Sequence, residues 1–148
     1  MSVEGKIVKH RELTERIIGV FFEVYKEMGH GFLESVYENA IALELVANNL
    51  DVKRQVSVPV WFREQKVGNF VADMLVENTV LLELKAVRIL EGSHEAQILN
   101  YLRATDLEVG LLLNFGVKPQ IKRFVFDNDK KQTRVNASIA NVFLDADE

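Results

Sequence analysis

Residues 80–87 read VLLELKAV, and two charges, Glu83 and Lys85, interrupt an otherwise apolar run. In a strand, residues two apart share a face. Glu83 and Lys85 therefore lie with Leu81 and Val87, while Val80, Leu82, Leu84 and Ala86 line the other side. A wet face would be polar throughout, and this one is not. Charges placed there are costly unless partnered. Upstream, FVADMLV (70–76) carries one charge, Asp73. A hairpin turning at Glu77-Asn78 brings Asp73 opposite or diagonal to Glu83. Two carboxylates so placed suit a hard cation, Mg²⁺ or Mn²⁺, which prefers oxygen ligands. A lysine beside them can orient a water or steady charge on a phosphate. The same three side chains could instead form a structural ion-pair network, since short charge patterns are common.

The elements that must hold these residues follow from hydrophobic period. A helix is expected over 14–28, with Thr14 as N-cap and Ile17, Ile18, Phe21, Phe22, Val24, Tyr25 and Met28 at helical spacing. The segment GHG (29–31) breaks it, and a second helix is expected over 33–50. The period then shortens. Residues 52–62, VKRQVSVPVWF, alternate as a half-exposed strand near a sheet edge, because Pro59 cannot donate a ladder hydrogen bond. A turn over 63–66 leads to strands over 67–76 and 79–87. A helix over 91–104 with Ser93 as N-cap, a strand over 109–115 apolar on both faces, and a strand over 121–126 complete the order ααβββαββ. Residues 127–134 read as a polar loop, and 134–144 fit either a short helix or a strand.

The 148 residues suggest one domain, 1–148, with its core over about 15–126. At 48% hydrophobic and 27% charged, the composition is that of a soluble globular protein. No apolar run is long enough to span a bilayer, and the first residues lack the apolar core of a secretory signal. With no cysteine, disulfides and thiolate metal sites are excluded, which fits a cytoplasmic protein. A net charge of −4 argues against a broad nucleic-acid-binding coat, though not against a local basic groove.

The pattern Asp73…Glu83-Leu84-Lys85 resembles the signature of the PD-(D/E)XK nuclease superfamily, with Ala72 where the proline of that name would stand. GFLESVY (31–37) resembles the G-x-x-E-x-x-Y motif of its GxxExxY branch. HEAQILNYLRAT (94–105) is similar to the same branch, and its Gln97-x-x-x-Tyr101 resembles the QxxxY motif of RecB-type nucleases. VGLLLNFG (109–116) and Lys122-Arg123 resemble the closing strands. The resemblance implies a restriction-endonuclease-like α/β fold, a mixed β-sheet flanked by helices. It implies Glu34 as the acidic residue of the first motif, Asp73 and Glu83 as metal ligands joined by Glu34, and Lys85 as the catalytic lysine. Gln97 and Tyr101 become the supporting pair, on one helix face at i, i+4.

Each of these has a plainer reading. Glu34 near a helix start is favoured by the helix dipole. Tyr37 could bond to the site or simply pack. His94 could meet a phosphate, but a helix-start histidine is more often structural, and His30 between glycines is weaker still. Glu38 reads as solvated face. Arg88 heads a set of basic residues that could meet substrate, with Lys53, Arg54, Arg103, Lys118, Lys122 and Arg123. Two functions follow. One is a Mg²⁺- or Mn²⁺-dependent nuclease acting on nucleic acid, with DNA the expected polymer. The other is a binding module on the same fold, for nucleic acid or a partner protein, working singly or as a homodimer.

Overall fold

A computed structural model describes residues 10–131. The elements are α1 (Arg11–Met28), α2 (Glu34–Ala47), β1 (Val52–Phe62), β2 (Gln65–Val76), β3 (Val80–Lys85), α3 (Gly92–Arg103), β4 (Val109–Phe115) and β5 (Pro119–Val125). The expected order ααβββαββ is the observed one. The strands form one sheet in the order β1-β2-β3-β4-β5. Among the described strands only β3 and β4 run parallel, and α3 makes the crossover between them. The other neighbouring pairs are antiparallel. β1 is an edge strand, as Pro59 required.

Two apolar clusters cover the two faces. Ile17, Val20 and Phe21 of α1 and Tyr37, Ile41 and Leu45 of α2 pack on Val80, Leu82 and Leu84 of β3 and on Leu111 and Leu113 of β4. Ile98, Tyr101 and Leu102 of α3 pack on Leu81, Leu75, Ala72 and Val58. β4 is buried at all seven positions, as a strand covered on both sides must be. The alternation along β3 therefore aims Glu83 and Lys85, with Leu81, at the α3 side.

Several boundaries differ from expectation for local reasons. Thr14 is not a cap: α1 starts one turn earlier, after His10, and the Thr14 hydroxyl bonds back to the His10 and Arg11 carbonyls. Ser93 is not a cap either. Glu91 holds that place, and its N–H donates to His94 Nδ1. The first hairpin turn is only Arg63-Glu64, both at positive φ (51° and 65°), so β2 begins at Gln65. The second turns at Glu77-Asn78 as expected, with φ of 54° and 51°. β3 stops at Lys85, short of Val87. The polar loop after β5 contains a short 3-10 turn, Asn128–Lys130, followed by a buried Lys131, and its remaining residues, 132–134, lie outside the described ones. The undecided segment 134–144 lies outside the described residues. No helix among the described residues is long and apolar enough to cross a membrane.

Candidate active site

β1 and β2 pair along almost their whole length, but β2 and β3 share only three pairs, ending at Met74↔Leu82. Continuing that register puts Asp73 opposite Glu83. There the ladder gives way to side chains. Asp73 N–H donates to Glu83 Oε1 at 2.9 Å, and Leu84 N–H donates to Asp73 Oδ2 at 2.8 Å. Each carboxylate takes a backbone donor on the opposing strand, so the strands part without orphaning those N–H groups.

The two faces of the sheet change over at the same place. Gln55 adopts φ 53°, and the ladder skips it together with Asp73 between Arg54↔Met74 and Val56↔Ala72, with the register unchanged across the gap. A left-handed residue inside a strand re-aims the side chains beyond it. Val52 and Met74 pack with α1 and α2, whereas Val58 and Ala72 pack with α3, although all four positions are even. The alternation changes face across Gln55 and Asp73, and the first carboxylate stands at that crossing. Gln55 Nε2 donates to both oxygens of Glu38, at 3.0 and 3.1 Å, and Arg54 pairs with Glu38 at 3.0 Å. Glu38 is therefore not a solvated face: its side chain is 13% exposed and holds Gln55 at this crossing.

The electrostatics are those of a crowded acidic pair. Burial pushes Glu83 up from its ordinary 4.5 to about 8, and the neighbouring charge of Asp73 adds to the effect. Asp73 is raised by burial and by the charges of Glu38 and Glu34, against its bond from Leu84 and the attraction of Lys85. Glu83 is 3% exposed and Lys85 half-buried beside it. The second oxygens of Asp73 and Glu83 accept no hydrogen bond among the described residues. Two hard oxygen donors, short of charge compensation, are a donor set that fits a divalent cation.

The remaining expected residues divide. Tyr101 is buried, accepts from Gln97 Nε2 at 3.1 Å, and is raised by burial and by the charges of Glu83 and Asp73. Gln97 and Tyr101 thus form a bonded pair beside the carboxylates. Glu34 is exposed in the first turn of α2 and lies near enough to add its charge to both acids. Its Oε2 accepts from Ala86 N–H at 3.4 Å, just past the end of β3. Among the described residues no three His, Cys, Asp or Glu side chains are drawn together closely enough to hold an ion jointly. Asp73 and Glu83 are the bonded pair, and Glu34 stands at its rim.

Tyr37 packs into the core. It is fully buried, stacked on Phe115 at 4.0 Å, with its hydroxyl donating to the Gly29 carbonyl. It holds the loop before α2, where Gly29 and Gly31 sit at φ 68° and 114°. His94 spends Nδ1 on the start of α3. Arg88 is exposed beyond β3, and His30 is exposed in its turn. Of the basic set, Arg54 is paired with Glu38, and Lys122 with Glu95 at 2.6 Å.

Sequence reasoning passed over Asn114. It is fully buried, lies across from Lys85 on β4, and holds Val87 by both its N–H and its carbonyl, each at 2.9 Å. It fixes the chain as it leaves Lys85. The signal was there: one amide in the apolar strand VGLLLNF, the same kind of anomaly as Glu83. Gln55 carried no comparable signal, because nothing in its type announces a left-handed strand residue.

A family model described as the PD-(D/E)XK nuclease superfamily matches residues 11–124 of the chain. No curated protein and no solved structure matches it.

Proposed function

We propose, since this chain belongs to the PD-(D/E)XK nuclease superfamily, that it hydrolyses phosphodiester bonds in nucleic acid with the help of a divalent cation. The observation that carries the reading is the Asp73–Glu83 pair, cross-bonded where β2 and β3 part and joined by Lys85 on the same face. Asp73 and Glu83 would hold the cation. When bound, it polarises the scissile phosphate and lowers the pKa of a water.

The chain's own residues have distinct tasks. Lys85 presents an ammonium on the same strand face as Glu83, suited to a phosphate oxygen or to orienting the nucleophile. Backbone donors fix one oxygen of each acid, so the other oxygens are aimed rather than free to rotate. Gln97 steadies the Tyr101 hydroxyl beside the acids. Glu34 at the rim acts from outside the pair, as an outer ligand or through the Ala86 backbone. The finer reading rests on the motif resemblances: DNA as the polymer, Mg²⁺ or Mn²⁺ as the cation, the GxxExxY branch as the lineage, and a single chain or a homodimer as the working unit.

The test is cleavage of a panel of DNA and RNA substrates, single- and double-stranded, in Mg²⁺ and in Mn²⁺. Lys85→Ala serves as the control for contaminating nuclease. Wild-type cleavage that chelator and Lys85→Ala both abolish supports the reading. Binding that never leads to cleavage in either cation would leave a binding module on the same fold.

A further inference from the structure

β1 and β2 outrun the rest of the sheet. Between Val56/Ala72 and the Arg63-Glu64 turn they form a ribbon that β3 does not pair with. At about 3.3 Å per residue, this ribbon extends roughly 25 Å beyond Asp73. One side of it rests on α3 through Val58 and Ala72, yet aromatic surface is left open along it. Phe70 is 49% exposed, and its ring lies 5.9 Å from that of Tyr101, the residue that Gln97 holds beside the two acids. Phe62, near the tip, is 57% exposed with the Arg63 guanidinium 4.9 Å over its ring. Residues 61–71 carry Arg63 and Lys66 against Glu64, a net +1 on a chain of −4. The ribbon is thus a basic, aromatic arm rooted at Asp73 on an acidic body.

We infer that this arm is a stacking platform for unpaired nucleobases, with Phe70 as the ring that receives the base next to the scissile phosphate at the cation site of Asp73 and Glu83. This rests on the nuclease reading and names its substrate class: single-stranded, or locally unpaired, nucleic acid. An aromatic face is sequence-tolerant, because every base has a π-face. It is of no use against intact duplex, whose base faces are already stacked on one another. Lys66 and Arg63 supply phosphate attraction farther along the strand. Phe70 is a substrate-positioning residue on this view.

The test measures binding by fluorescence anisotropy with Ca²⁺ as the added cation. The probes are a labelled single-stranded DNA, its duplex, the same strand with abasic sites, and the matching RNA. Wild type should prefer base-bearing single strands over both duplex and abasic strand. Phe70→Ala should weaken base-bearing strands by about 5- to 150-fold, the loss of one stacked base, and leave abasic binding unchanged. Phe70→Leu keeps apolar volume and should show the same loss with an unchanged melting temperature, while Phe70→Trp should bind at least as well as wild type. Equal losses on DNA and RNA support stacking, since both share the base. Wild-type affinity in Phe70→Ala and Phe70→Leu, or an equal loss on the abasic strand, overturns the platform. Cleavage by wild type together with unaffected Phe70 variants defeats the platform alone. If wild type neither binds nor cleaves any probe, the nuclease reading falls with it.

Discussion

Glu83 and Lys131 are both buried ionisable groups, and burial moves both to about 8. The consequences are opposite. At neutral pH the lysine keeps its charge, whereas the glutamate, left to the protein alone, loses its own. Their surroundings explain why. Lys131 donates to the Thr105 and Leu107 carbonyls at 2.8 and 2.7 Å, and Asp106, Glu108 and Asp127 counter the cost of burying it. For Glu83 the charge that acts most strongly is that of Asp73, of the same sign, with Lys85 only partly offsetting it. One site supplies the partners its charge needs. The other lacks positive charge, and a cation would supply it. A buried charge with complementary partners is a fastening, and a buried charge beside its own kind is an invitation to a ligand.

The comparison breaks most visibly in activity. Asp73→Ala, Glu83→Ala and Lys85→Ala should each lower the cleavage rate by about 10²- to 10³-fold, the scale of losing a transition-state charge contact. Lys131→Met should leave the rate unchanged. Single-turnover kinetics on a substrate that wild type cuts checks both halves of this contrast.

Cation binding sharpens it next. Mg²⁺ or Mn²⁺ at 100 times its dissociation constant should stabilise wild type by about 2.7 kcal/mol, and Lys85→Ala by nearly as much. Asp73→Asn should respond little. Thermal melts with and without chelator decide this, and a melting temperature indifferent to metal in all three proteins would dismantle the site.

Removing the fastening should cost stability without touching chemistry. Lys131→Met strands two carbonyls and should destabilise by about 1–3 kcal/mol, read as a lower denaturant midpoint.

Removing the crowded acid should do the reverse. Folding raises the proton affinity of Glu83, so the unfolded chain ionises first as pH rises. The stability linked to this group is fully present below about 4.5 and is lost as pH climbs towards 8. Glu83→Gln retains an oxygen for the Asp73 N–H and should be more stable than wild type at pH 8 in chelator, by on the order of a few kcal/mol, read as a higher melting temperature. The gap should close below pH 4.5. A variant less stable than wild type at pH 8 would show that Glu83 is compensated after all. The smallest effect is expected for Gln97→Ala, about 5- to 10-fold in rate, the worth of one hydrogen bond to Tyr101.

The sequence by itself determined the element order, the edge position of β1, the doubly buried β4 and the turn at Glu77-Asn78. Hydrophobic period and turn chemistry are local properties, and local properties can be read along a chain. It also determined the candidate pair, because a charge in an apolar strand is conspicuous wherever the strand ends up. Helix starts were less legible at Thr14 and Ser93. Both residues have good capping chemistry, but α1 continues through the turn before Thr14, and Glu91 takes the cap of α3.

Only the tertiary structure decided how the acids meet. The left-handed Gln55 switches the faces of β1 and β2, and the ladder ends at Met74 so that Asp73 and Glu83 can each take the other strand's backbone N–H. It turned Glu38 from a solvated face into the anchor of Gln55, and sent the Tyr37 hydroxyl to the Gly29 loop. These outcomes depend on which strand lies beside which, and on what each side chain finds there. Contacts between residues distant along the chain have no period and no composition, so they exist only once the sheet has closed.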